Sequence, residues 1–121
     1  MTRRLIQVAI LAFALSLAAF AADPTGKWTA TFDTAIGEQN YTYEFKVDGG
    51  KLTGTAKSQF GAAEIQDGKF SGDTLSFVEN VKFQDMDIRI EYKGKIAGDE
   101  IRFTRQVADF ATEEIVAKRV K

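Results

Sequence analysis

From Gly26 onward the apolar positions recur with a period of two. Trp28, Ala30 and Phe32 alternate with Lys27, Thr29 and Thr31, and Tyr41, Tyr43, Phe45 and Val47 alternate with Asn40, Thr42, Glu44 and Lys46. Successive side chains of an extended chain point to opposite faces, so each run reads as a strand with one dry and one wet face. The same holds for Leu52 to Ser58, for Leu75 to Val78, and for Met86, Ile88, Ile90 and Tyr92 against Asp87, Arg89, Glu91 and Lys93. Ile101, Phe103 and Arg105 form another run, and a last one, Glu113 to Val120, puts Ile115 and Ala117 on one face. No window of useful length after Gly26 places apolar residues at helical spacing. Asp48-Gly49-Gly50, Phe60-Gly61, Ser71-Gly72-Asp73 and Ala97-Gly98-Asp99 punctuate the runs with the positive φ that tight hairpins need. The pattern predicts eight strands, near 26–34, 38–48, 51–59, 62–70, 74–83, 86–96, 100–107 and 112–120.

An internal echo supports a hairpin as the unit. Gly68-Lys69-Phe70-Ser71-Gly72-Asp73-Thr74-Leu75-Ser76-Phe77 matches Gly94-Lys95-Ile96-Ala97-Gly98-Asp99-Glu100-Ile101-Arg102-Phe103, with a fainter copy at Gly50 to Thr55. Connections this short force antiparallel neighbours, and eight such strands leave two exposed edges unless the sheet closes. The expected fold is therefore all-β: an eight-stranded antiparallel up-and-down meander closing into a small barrel. A two-sheet sandwich needs longer crossings than these hairpins supply.

The first 21 residues follow a different rule. Arg3 and Arg4 precede an apolar run from Leu5 to Phe20 that ends in Ala19-Phe20-Ala21, a small-x-small pattern. The run falls short of the ~20 residues that span a bilayer comfortably, so it reads as a cleaved signal peptide, 1–21, ahead of one barrel domain, 22–121. Cleavage moves the net charge of the whole chain from −1 to −3, since Arg3 and Arg4 are the charges removed. That balance gives no basic excess for nucleic acid or an anionic membrane surface. Localisation outside the cytoplasm, periplasmic or extracellular, follows. The chain has no Cys and no His, which removes thiol nucleophiles, Ser-His and Cys-His pairs, soft-ligand zinc sites and disulfides.

Gly26-Lys27-Trp28 heads the first strand, and Arg105 and Arg119 stand near the end of the chain. This resembles the calycin signature shared by lipocalins, fatty-acid-binding proteins and avidins, in which Gly-x-Trp on the first strand is covered by a late arginine. The segment Asp48 to Thr55 is similar to the second hairpin of avidin-like barrels. The resemblance implies barrel closure by Gly26, Trp28 and Arg119, with either Arg119 or Arg105 as the guanidinium on the indole, contributing on the order of 0.5 to 2 kcal/mol.

Carboxylates are the remaining candidates for catalysis. Asp85, Asp87 and Glu91 share a strand face, with Glu79 across the hairpin, as a paired-acid hydrolase or a weak calcium site would need. Their alternation against Met86, Ile88 and Ile90 directs them to solvent, so no catalytic residue, metal or cofactor is expected. The aromatic set Trp28, Tyr41, Tyr43, Phe45, Phe77, Tyr92 and Phe103 falls on the inward face. Small residues at Gly54, Ala56 and Ala63 leave room on one wall. The expectation is a non-catalytic module holding a small apolar or aromatic ligand against Trp28, Tyr41, Tyr43 and Arg105, as a monomer or weak homo-oligomer. The alternative is a filled barrel that binds a protein partner, or inhibits one, through its outer face and the loops at Thr34 to Glu38 and Gln84 to Asp87. Lys118, Arg119 and Lys121 make a small solvated basic end.

Overall fold

The computed structural model describes residues 23–121; the expected signal peptide lies outside the described residues. Nine strand segments follow in order: β1 (Gly26–Thr34), β2 (Gly37–Asp48), β3 (Lys51–Ser58), β4 (Gly61–Glu64), β5 (Gln66–Ser71), β6 (Thr74–Phe83), β7 (Met86–Ala97), β8 (Glu100–Val107) and β9 (Ala111–Arg119). Segments β4 and β5 are one strand broken at Ile65, so the chain makes an eight-stranded antiparallel meander. Each strand pairs with its successor, and β9 returns to β1 to close the barrel.

The backbones approach closely around the break. A Cβ on Gly68 would lie 2.0 Å from the Leu52 carbonyl oxygen, and one on Gly54 would lie 1.8 Å from that of Glu44. Here the backbones press together at a corner of the barrel, with Asp67 in the left-handed region and the β5–β6 register shifting between Gln66 and Lys69. Gly54 thus serves close approach of strands. It does not widen the interior, as its small size leads one to expect.

The hairpin turns divide the barrel into two unlike ends. Gly49, Gly72 and Gly98 take φ of +62° to +64° in the β2–β3, β5–β6 and β7–β8 turns, and the echoed hairpins place them at one end. At this end Trp28 is fully buried and donates its indole N–H to the Pro24 carbonyl at 2.8 Å. The Arg119 guanidinium lies 4.4 Å above the indole ring. It donates from Nη1 to Thr25 O, from Nη2 to Asp23 O, and from Nε to the Asp99 carboxylate. Pairing of β1 with β9 is limited to Trp28↔Arg119 and Thr29↔Lys118, so this side chain reinforces the narrowest seam at its paired end.

Above the plug the lower interior is solid. Tyr43, Phe45, Phe77, Tyr92 and Phe103 pack ring on ring, with Phe77 and Tyr92 stacked at 4.3 Å, and Leu52, Leu75, Ile96 and Ile101 fill the remaining space. Substituting Arg119→Ala removes the stacked cation and its three donated bonds. We expect a loss of about 1–3 kcal/mol in urea unfolding, with Trp28 emission shifting to the red. Gly54→Ala should cost at least as much, because backbone stands in the way of the new methyl group.

Candidate functional site

At the opposite end the core stops short of the mouth. A cavity of about 340 Å³ opens there, between the β1–β2, β3–β4, β6–β7 and β8–β9 connections. Its wall is made by inward positions of the strands: Val81, Ile88, Ile90 and Val107, with Gln39 from β2. Its rim carries Ile36, Phe60, Met86 and Phe110, which are exposed although apolar, Phe110 by 66% and Ile36 by 56%. Apolar side chains crowd this opening, whereas exposed apolar residues are ordinarily scattered singly over a surface. Three non-glycine residues at this end, Gln84, Asp85 and Ala108, have positive φ.

The floor is polar and fully connected. Arg105 on β8 is 5% exposed, and each of its nitrogens has a partner. Nε donates to the Tyr92 hydroxyl at 2.8 Å, Nη2 to the Tyr41 hydroxyl at 3.0 Å, and Nη1 to the Glu113 carboxylate. Tyr41 and Tyr92 donate in turn to Oε2 and Oε1 of Glu79, at 2.9 and 2.8 Å. Since the single hydroxyl hydrogen of Tyr92 goes to Glu79, Tyr43 is the donor in its 2.9 Å contact with Tyr92. The guanidinium also lies 5.1 to 5.6 Å from the ring centres of Phe32, Tyr41 and Tyr92.

Burial dominates the protonation of this layer. It raises the Glu79 carboxyl above its ordinary value of 4.5, against the hydrogen bonds from Tyr92 and Tyr41 and the charge of Arg105. Burial likewise pushes Tyr41 up to about 12 and holds Tyr43 and Tyr92 well above 10, so all three phenols stay neutral. For Arg105 burial acts against the charge, and the surrounding Tyr92 and Tyr41 oxygens with Glu113 outweigh it, so the cation is retained.

These positions revise several expectations. Tyr41 and Arg105 line the cavity, whereas Tyr43 lies beneath them in the solid core and Trp28 sits at the plugged end. Arg119 is the arginine that covers Trp28, beside Gly26, where an added Cβ would come within 3.3 Å of its Nη1. Asp85, Asp87 and Glu91 are exposed, as the alternation requires, but Glu79 is not their partner: it is 1% exposed and points inward. Leu75, Phe77, Glu79, Val81 and Phe83 share one parity on β6, so the inward position of this acid was already written in the strand pattern. Gln39 was missed in the same way, one step beyond Tyr41 on the inward face of β2. No family model, curated protein or solved structure matches the chain.

An acid with a raised folded pKa binds more protons folded than unfolded, so its contribution to stability is greatest below 4.5 and declines as pH rises through the folded value. Urea unfolding between pH 4 and 8 should show this decline in the wild type relative to Glu79→Gln, whose side chain does not titrate. Arg105→Leu should cost about 3–5 kcal/mol at pH 7 and carry the decline to higher pH, because Glu79 then lacks its cation.

Proposed function

We propose that the protein is an exported, non-catalytic binding barrel of the calycin type that takes a small apolar molecule through its open end. The observation that carries this reading is the apolar cavity of about 340 Å³ above the Arg105 layer, a volume within the range of small-molecule sites. Arg119 stacked on Trp28, next to Gly26, supports the calycin resemblance. The Arg3-Arg4 start, the Leu5 to Phe20 run and the Ala19-Phe20-Ala21 ending support export to the periplasm or the medium. No cofactor enters the proposal, and the floor groups serve orientation: the hydroxyl protons of Tyr41, Tyr43 and Tyr92 are already committed within the layer.

The test is fluorescence titration with N-phenyl-1-naphthylamine, an uncharged dye that brightens in apolar surroundings. Wild-type protein should saturate, and Ile88→Trp, which fills the wall of the cavity far from the Trp28 plug, should bind roughly tenfold more weakly or worse. Absence of saturable uptake by folded wild type would sink the proposal.

A second reading draws on the exposed rim of Ile36, Phe60, Met86 and Phe110. In it the mouth docks a protein partner. Capture of such a partner would then be lost in Phe110→Asp and kept in Ile88→Trp, the reverse of the pattern for a ligand held inside.

A further inference from the structure

Gln39 is the one buried polar side chain whose oxygen and nitrogen, among the described residues, both go unpaired. It is 2% exposed, and it lines the cavity directly above Tyr41 on β2. A buried amide without partners costs free energy comparable to one or more lost hydrogen bonds, so its retention on an otherwise apolar wall asks for a function. The polar groups that share the cavity wall with it bond elsewhere: Tyr41 gives its hydrogen to Glu79, and Arg105 donates to Glu113.

Resting on the binding proposal above, we infer that Gln39 reads the head group of the ligand, and that this head is uncharged and carries a donor and an acceptor side by side, as a primary carboxamide does. The amide side chain offers one acceptor and two donors at a single point. A carboxylate presents acceptors only, an ammonium donors only and an ester an acceptor only, so each leaves half of Gln39 unsatisfied. An anionic head meets opposition here: Arg105 spends three of its five N–H groups on Tyr92, Glu113 and Tyr41, and the Glu113 and Glu79 carboxyls stand beside it. The rest of the ligand is apolar. The cavity holds on the order of ten groups the size of a water molecule, taking about 30 Å³ each, and its wall of Val81, Ile88 and Val107 leads out to the apolar rim. The head therefore lies inward near the Arg105 layer, with the tail toward the mouth.

Calorimetric titration with octanamide, octanoate, octylammonium and methyl octanoate at pH 7 tests the inference, alongside the naphthylamine dye. Wild type should prefer octanamide over each of the others by about tenfold or more. Gln39→Leu should erase the preference over methyl octanoate, and should raise the thermal midpoint, since it removes an unpaired amide at little change in volume. Octanoate or octylammonium binding as tightly as octanamide would overturn the neutral head. A preference unchanged in Gln39→Leu would overturn the role of this residue. Dye uptake with no selection among the four would also defeat the head-group inference and leave the cavity standing, whereas failure of dye and octyl compounds alike would bring down the binding proposal beneath it.

Discussion

A guanidinium as deeply buried as that of Arg105 loses most of its solvation, and the interior is arranged around that fact. Arg105 needs several acceptors at once, and it finds them in two phenols and a carboxylate drawn from β2, β7 and β9. Those phenols then need acceptors for their own hydrogens, which brings in Glu79 from β6. One buried charge thus recruits five of the strands around the barrel into a single transverse layer. Breaking any member leaves another uncompensated in a medium of low polarizability, so the layer stands or falls as a unit.

Position along the barrel axis gives this layer its second effect. Beneath it, aromatic rings fill the space between the strands; above it, Val81, Ile88 and Val107 are too short to meet across the lumen. The polar floor keeps side chains from below at a fixed height, because Tyr41 and Tyr92 are anchored by their hydroxyls as well as by packing. The barrel is accordingly filled at one end and hollow at the other, and the two descriptions that compete for small barrels both apply here.

Period-two alternation was enough to place nearly every strand within a residue or two, since hairpin turns with left-handed glycines leave little freedom between runs. It also sorted the aromatics to the inside. What it did not convey came from letting residue type outrank parity. Glu79 and Gln39 occupy inward positions on β6 and β2, but a charged and an amide side chain look like solvent-facing residues until a partner across the lumen is known. The partners of Glu79 lie 13 and 38 residues away, beyond any local pattern. The depth of the cavity was illegible for a similar reason: Gly54 looks like empty space in a sequence, while in three dimensions the Glu44 carbonyl stands where its side chain would be, as the Leu52 carbonyl does at Gly68. The break at Ile65 lies beside those same contacts.

The way Arg119 ties down the start of the chain has a practical corollary. Its side chain grips the carbonyls of Asp23 and Thr25, and Lys121 reaches Asp99 of the β7–β8 turn at 2.9 Å, so residues 23 and 121 leave the barrel from the plugged base. Any sequence appended after Lys121, or before Asp23 in a chain cut to residues 23–121, starts on the side away from the mouth. A tether, affinity tag or fused domain at either position would hold the protein upright on a surface like a cup on its foot. With residues 1–22 removed, the same proximity suits circular permutation, residues 121 and 23 being joined by a short linker and new ends placed elsewhere.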